Sequence, residues 1–339
     1  MLKESADIMA VAEQVEGRLK GVSFELVGKA RELARERGGR VLAAVFGSGI
    51  GSLGAELVAY GADRVVLVDD SRLALYRNDA YALALEGLIR KYSPGIVLFS
   101  ASTCGSELAA TTAARLGTGL AAHCVDLRFN ERGEFVQVIP AFGGRVLGDV
   151  FCPRARPQMA SIRPGVFKKP GKDPARSGET IKEEAIFPAG FESPLEAVRV
   201  VRRQPPGLPL EEAGVVVAGG WGVGSAEVWR VLEELAGELG AAVGCTRPAL
   251  DEGWINDERA LIGASGKTVR PKLYIGFGIS GSIHHVVGMK DSGFVINVNT
   301  DPAAPVFQIS DCGVIADAKE FIPLLLEKVR ERKAGLPKE

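Results

Sequence analysis

Three short glycine-rich segments contain the residue types that bind phosphate groups, and each follows a run of apolar residues. Residues 49–54 and 276–281 match the pattern GxGxxG, and residues 219–225 form a third glycine loop. Glycine lets backbone N–H groups approach a diphosphate closely, and the N-terminus of a following helix favours its negative charge. A single match has little weight in a chain with 42 glycines, because plain strand-to-helix turns share the pattern.

The first of these loops suggests one specific ligand, a nicotinamide dinucleotide. Asp69 and Asp70 stand near the end of the next predicted strand, where such folds place the acid that binds the ribose. An NAD-dependent oxidoreductase that uses residues 49–54 is therefore one hypothesis. Against it, the chain has no evident partner group for hydride transfer, and a lone His123 after two alanines is typical of a structural histidine.

Polar residues in the second half of the chain follow predicted strands, one after another. They are Thr246 and Arg247, the loop 263–268, the stretch from Ser280 to His285, Asn299 and Asp317. Each of them alone fits a helix cap or a turn. The carboxyl ends of parallel strands share one edge of a sheet, and doubly wound sheets bind ligands at that edge. Together these residues therefore predict a ligand site in the second half of the chain.

Apolar runs that alternate with amphipathic stretches indicate the elements that position these residues. The runs predict buried parallel strands at residues 8–12, 41–46, 64–68, 95–100, 214–218, 272–276 and 294–298. Helical periodicity is present at residues 23–36, 80–91, 107–116, 227–239 and 319–332. This alternation predicts an α/β fold with mostly parallel, doubly wound sheets.

A proline-rich segment separates two predicted domains. A typical domain has about 150 residues, so a chain of 339 residues suggests two of them. Residues 205–209 read Pro-Pro-Gly-Leu-Pro, and proline breaks helices and favours an extended linker. We expect one domain at residues 1–204 and a second at residues 208–339. The first should contain a hairpin within residues 127–140 and a strand at residues 198–203.

Composition and charge exclude several classes of protein. With 41 Lys and Arg against 42 Asp and Glu, the chain has no excess positive charge to bind nucleic acid or an anionic membrane. Five cysteines without a CxxC pair and only three histidines argue against a disulfide framework and a histidine-rich metal centre. No apolar run reaches the ~18 residues of a membrane span, and the first residues lack a signal region. We expect a cytoplasmic protein, not an integral membrane protein.

Two long segments carry a recognisable signature. Residues 274–292 read YIGFGISGSIHHVVGMKDS, and residues 299–307 read NTDPAAPVF. They resemble the signature of the alpha subunit of electron-transfer flavoproteins. Residues 61–65, GADRV, and 156–167, RPQMASIRPGVF, resemble the first domain of the same family. The resemblance therefore covers nearly the whole chain.

The resemblance implies an electron carrier rather than a stand-alone enzyme. It implies an N-terminal Rossmann-like, nucleotide-binding-type α/β domain that contacts a beta subunit, and a C-terminal doubly wound domain that binds FAD. The heterodimer would shuttle electrons between a dehydrogenase donor and a downstream acceptor. The glycine loop at residues 49–54 would then be a decoy. Whether such a complex bifurcates electrons depends on the beta subunit, which would hold either AMP or a second FAD.

The resemblance also implies the residues that contact FAD. They are Thr246, Arg247, Gly263, Ala264, Ser265, Ser280, Gly281, Ser282, Ile283, His284, His285, Asn299 and Asp317. Backbone N–H groups at residues 280–282 suit the diphosphate, and Asn299 and Asp317 suit the adenosine. Ser265 is expected near flavin N5, His285 near the pyrimidine edge, and Arg247 close to the isoalloxazine ring.

The chain departs from the family pattern at two positions near this site. Trp221 stands where the family usually has an arginine, and Ala264 stands where it has a glutamine. Trp221 covers either the cofactor or only its own loop. These departures leave a third hypothesis open, a scaffold relative that has lost its flavin.

Overall fold

The computed structural model describes residues 5–141, 146–198, 200–201 and 208–335. The described residues divide into two units, with residues 5–141, 146–198 and 200–201 in the first and residues 208–335 in the second. Each unit is built around its own parallel sheet.

The first unit contains twelve strands and four helices among its described residues. The strands are β1 (Ile8–Ala12), β2 (Gln14–Val15), β3 (Arg18–Leu19), β4 (Val41–Gly47), β5 (Arg64–Asp69), β6 (Ile96–Ser100), β7 (Leu120–Cys124), β8 (Asp126–Phe129), β9 (Phe135–Ala141), β10 (Val146–Val150), β11 (Gln158–Ile162) and β12 (Glu179–Glu183). The helices are α1 (Gly21–Arg37), α2 (Leu53–Tyr60), α3 (Asn78–Tyr92) and α4 (Thr103–Leu116).

Seven of these strands form one parallel sheet in the order β12-β5-β4-β1-β6-β11-β7. Alternate residues of β1 face opposite layers, since Ile8 packs in the cluster with α1 and α2 and Met9 packs with α3 and α4. Burial on both faces explains why β1 and β4 are uninterrupted apolar runs. Strands β8, β9 and β10 form a separate antiparallel sheet.

The second unit contains five strands, all paired in parallel, in the order β14-β13-β15-β16-β17. They are β13 (Val215–Gly219), β14 (Ala242–Cys245), β15 (Leu273–Phe277), β16 (Phe294–Asn299) and β17 (Cys312–Ile315). Its helices are α5 (Ala226–Leu239), α6 (Arg247–Asp251), α7 (Ile283–Val286) and α8 (Ala318–Ala334). The chain runs from β13 to β14 on one side and then returns to β15 on the other. The strand order therefore reverses between β13 and β15.

The predicted fold class is confirmed, and every strand and helix expected from the apolar runs is present within a few residues of its predicted bounds. The hairpin within residues 127–140 is also confirmed, as β8 and β9. The elements that were not predicted include helices α2 and α6 and strands β2, β3, β7, β10, β11 and β12. The strand expected at residues 198–203 is wrong for residues 198, 200 and 201, which are irregular, while residues 199 and 202–203 lie outside the described residues. The predicted linker falls largely outside them too, at residues 205–207.

Two glycines of the first glycine loop differ in the space around them, and this difference gives a test of the fold. A methyl group at Gly51 would meet no atom within 4 Å, whereas one at Gly54 would lie 2.6 Å from the side chain of Thr180 in β12. We expect Gly51→Ala to change the free energy of unfolding by less than about 0.5 kcal/mol. Gly54→Ala should lower it by about 1–3 kcal/mol, because the helix must move away from the strand. Urea unfolding followed by far-UV circular dichroism measures both, and equal losses in the two variants would contradict this packing.

Candidate functional site

The parallel sheet of the second unit brings the predicted site residues to one edge. Each of its strands ends near a predicted ligand-binding residue or glycine loop, at residues 220–224 after β13, Thr246 after β14, residues 278–282 after β15, Asn299 in β16 and Asp317 after β17. All five strands are parallel, so these positions share the carboxyl edge. This edge, at the reversal of strand order, is where open α/β sheets bind ligands.

Two glycine loops cross in direct contact at the reversal of strand order. Gly220 donates its N–H to the Phe277 carbonyl at 2.8 Å, and Gly222 donates to the Gly278 carbonyl at 3.0 Å. Gly278 has φ +61°, and a Cβ on it would lie 2.5 Å from the Gly222 Cα. A side chain at either position would force the loops apart. Glycine is therefore required for the loops after β13 and β15 to meet.

The loop after β15 presents a row of backbone donors. Among the described residues, no acceptor meets the N–H groups of residues 279–284, which end in the first turn of α7. Gly281 has φ +88°, and a Cβ on this residue would collide with the backbone of Val306, so there is no room for a side chain. Successive N–H groups without acceptors at the start of a helix are an anion-binding arrangement. The row thus fits the diphosphate of a dinucleotide.

The glycine loop of the first unit has the opposite arrangement. Gly49 donates its N–H to Asp69 Oδ1 at 2.7 Å, and Ile50 donates to Asp69 Oδ2 at 3.2 Å. A carboxylate of the chain itself therefore occupies the place that a phosphate would take. Asp70 is also engaged, with Arg72 at 2.6 Å, and this hydrogen bond lowers the pKa of the Asp70 carboxyl. These contacts argue against dinucleotide binding at residues 49–54.

The loop containing Gly263, Ala264 and Ser265 packs directly on α7. Ala264 donates its N–H to the His284 carbonyl at 2.6 Å, and Gly263, with φ +134°, lies against the same carbonyl. This contact holds the exposed Ser265 close to the donor row. Thr246 is buried and joins the same edge, because its N–H donates to the Gly219 carbonyl at 3.0 Å.

Arg247, the first residue of α6, points into solvent. Its side chain is 61% exposed, and its guanidinium pairs with Asp251 at 2.8 Å, one helical turn away. An exposed pair of this kind is weak, so the side chain can reach toward a ligand at little cost. Its proximity to a flavin ring stays a prediction.

Asn299 and Asp317 hold the backbone of the edge in place. Asn299 donates from Nδ2 to the Ile279 carbonyl at 2.9 Å and accepts the Asp301 N–H at 2.9 Å. Asp317 is the N-cap of α8 and accepts the Lys319 N–H at 2.9 Å. Both side chains thus already have structural partners, and their contacts to adenosine stay predictions.

His285 is buried and bonded at both ring nitrogens, unlike the exposed His284. Nδ1 lies 3.1 Å from the Ile262 carbonyl, which can only accept, so Nδ1 carries a proton. Nε2 lies 2.8 Å from the hydroxyl of Tyr274, which donates to it. Burial lowers the pKa of His285 to about 4, although the bond to Ile262 opposes this. A hydrogen bond from a ring nitrogen of His285 to a flavin would require the ring to leave these partners, and the expected place of His285 at the pyrimidine edge stays a prediction.

Sequence reasoning did not identify Tyr274 or the role of Asp69. Tyr274 is fully buried within β15, where the only signal was a hydroxyl inside an otherwise apolar strand. The sequence shows Asp69 as an acid at the end of a strand. It does not show that the preceding glycine loop comes close enough to donate hydrogen bonds to this carboxylate.

The sequence as a whole matches known proteins over both units. A family profile described as "Electron transfer flavoprotein domain" matches residues 8–187, and one described as "Electron transfer flavoprotein FAD-binding domain" matches residues 209–290. The electron transfer flavoprotein subunit alpha of Thermoanaerobacterium thermosaccharolyticum is 39% identical over 334 residues, which cover 98% of this chain and all of the relative. The chain belongs to the electron transfer flavoprotein alpha subunit family. FAD is therefore the cofactor of its second unit.

Other relatives bear the same name or the name of a dehydrogenase subunit. The Megasphaera elsdenii electron transfer flavoprotein subunit alpha is 40% identical over 98% of each chain. Subunit LctC of the lactate dehydrogenase (NAD(+),ferredoxin) of Acetobacterium woodii is 38% identical, over 95% of this chain and 76% of its own length. Across the described ranges no helix is both long and apolar enough to cross a bilayer.

The buried His285 predicts how the stability of the second unit depends on pH. Its folded pKa lies below the ordinary value of 6.5, so between these values the unfolded chain binds the proton and stability falls as pH falls. The loss should approach about 3 kcal/mol between pH 6.5 and pH 4. His285→Gln should remove this part of the pH dependence, whereas His284→Gln should keep it.

Tryptophan fluorescence during urea unfolding measures this effect in the second unit alone, because all three tryptophans of the chain lie within residues 208–335. The same pH dependence in wild type and in His285→Gln would contradict the buried, neutral histidine.

Proposed function

We propose that this chain carries FAD at the carboxyl edge of its second sheet, as the alpha subunit of a heterodimer with a beta subunit. The heterodimer takes electrons from a dehydrogenase and passes them to a downstream acceptor. The observation that carries the proposal is the row of N–H groups at residues 279–284, which meet no acceptor in the described part of the chain and lie beside the contact of two glycine loops. The relative LctC, a subunit of a lactate dehydrogenase that names NAD(+) and ferredoxin, supports the link to dehydrogenases.

Different residues at this edge bind different parts of the cofactor. The N–H row at residues 279–284 binds the diphosphate, whose charge is favoured by the start of α7. Asn299 and Asp317, at the ends of the next strands, hold the adenosine side. Ser265 and Arg247 lie toward the flavin side. When bound, FAD supplies the redox chemistry, since it accepts and releases electrons singly or in pairs.

Arg247 tunes the reduced state of the cofactor through its fixed charge. Reduction places negative charge on the ring, so a cation nearby stabilises the reduced form more than the oxidised form. A guanidinium keeps its proton at any working pH, and its effect is therefore independent of pH. The weak pair with Asp251 leaves this charge available.

Co-expression with the beta subunit tests the proposal. We expect a heterodimer on size-exclusion chromatography that shows flavin absorption bands, with one FAD assigned to this chain. The chain expressed alone should be poorly soluble or contain little flavin. A nicotinamide signal without flavin would favour the NAD hypothesis, and a complex without either cofactor would favour the scaffold hypothesis. A stable, flavin-replete monomer would contradict the need for a partner.

Arg247→Ala should lower the reduction potential of the bound flavin, because the variant loses a positive charge that stabilises the reduced ring. The loss should correspond to about 1–3 kcal/mol, the range of charge-assisted hydrogen bonds. Arg247→Lys should retain most of the potential. A spectroscopic reductive titration of the heterodimer measures each variant.

Arg259→Ala is the matched control for this prediction. Arg259 is also an exposed arginine of the second unit and pairs with Asp257 at 2.8 Å, but no predicted FAD contact falls on it. Its removal should leave the potential unchanged. An unchanged or raised potential in Arg247→Ala would remove Arg247 from the site.

A further inference from the structure

Trp221 is exposed at the edge that holds the predicted site, although burial of its indole would be favourable. The side chain is 66% exposed and follows Gly220 in the loop after β13. Its two flanking glycines, Gly220 and Gly222, are the ones that bond to the Phe277 and Gly278 carbonyls. These bonds tie the loop that carries Trp221 to the residues directly before the N–H row at residues 279–284.

The indole nitrogen of Trp221 has a hydrogen-bond partner within the second unit. Its Nε1–H donates to Glu252 Oε1 at 3.2 Å, so the polar edge of the ring is satisfied. Glu252 directly follows α6, the helix that begins with Arg247. The indole is thus tied to the element that carries the cation predicted to act on the flavin ring. The two faces of an indole ring carry no hydrogen-bonding group, and they favour contact with another flat ring.

Two more apolar side chains are exposed at the same edge. Ile283 opens α7 and is 39% exposed, and Ile315 ends β17 and is 66% exposed. Exposed apolar side chains therefore stand on the loops and strand ends of the same edge as the donor row. A ligand with a charged centre and flat, apolar rings on both sides matches this pattern, and a dinucleotide has that chemistry.

We propose that Trp221 contacts the flavin ring system of the bound FAD and forms an aromatic wall of its site. The proposal rests on the function proposed above and extends it to a residue at which this chain departs from its family's pattern. Of the two alternatives for Trp221, this one has the indole cover the cofactor and not only its own loop. Trp221 contributes the flat face of its indole to the site, rather than a charge.

Fluorine NMR of the heterodimer labelled with 5-fluorotryptophan tests the contact without relying on activity. The chain has three tryptophans, and Trp→Phe variants assign their resonances. Addition of FAD to the flavin-depleted heterodimer should shift the Trp221 resonance strongly. The resonance of Trp229, which is 1% exposed, should move least and serves as the internal reference.

FAD affinity gives a second, independent measurement. Trp221→Ala should raise the dissociation constant about three- to tenfold, the factor that aromatic contacts supply. Trp221→Phe should stay close to wild type because it keeps a flat apolar ring. Leu324→Ala removes a similarly exposed apolar side chain, 59% exposed, from the interior of α8 and should have no effect.

The outcomes separate this inference from the proposed function. FAD that binds Trp221→Ala with unchanged affinity and does not shift the Trp221 resonance would overturn the inference but leave the proposed function intact. A Trp221 resonance that shifts when the beta subunit is added, and not with FAD, would also overturn it, because protein would then cover the indole. A heterodimer that takes up no FAD would overturn the proposed function itself. If Trp221→Ala does not fold, the wild-type shift and Trp221→Phe still decide.

Discussion

The approach of Gly222 to Gly278 is the constraint on which the candidate site depends. The loops after β13 and β15 meet backbone to backbone, with two hydrogen bonds and no room for a side chain. The chain that follows Gly278 forms the row of N–H groups at residues 279–284, for which the described residues supply no acceptor. Trp221 is carried to the same place by the partner loop.

The two units show how one architecture can either bind a dinucleotide or not. Both have parallel sheets with glycine loops at their carboxyl ends, and both match GxGxxG. In the first unit, Asp69 satisfies the loop from within the chain. In the second, the donors of residues 279–284 meet no acceptor among the described residues. The two loops therefore differ in whether their N–H groups already have an acceptor within the described chain, which agrees with the rule that function resides in sites rather than in folds.

Much of the fold could be predicted from local pattern, and much of the site could not. Strands such as β1 and β4 can be recognised in the sequence as uninterrupted apolar runs, because both of their faces are buried. Strand β12 does not, because it is polar and pairs with β5 from far along the chain, Glu179 beside Arg64. The positions of the edge residues follow from strand ends, but their partners do not. That His285 is bonded to Tyr274 and Ile262 depends on three segments meeting, which no local pattern encodes.

Hydrogen–deuterium exchange of the heterodimer, with and without FAD, tests whether the N–H row at residues 279–284 binds the cofactor. FAD should slow exchange of these amides, because the diphosphate becomes their acceptor. The amides of Gly49 and Ile50 should exchange slowly in both states, because Asp69 already binds them. Slower exchange at residues 49–54 on addition of FAD, with no change at residues 279–284, would show that FAD binds at the first glycine loop and not at the N–H row.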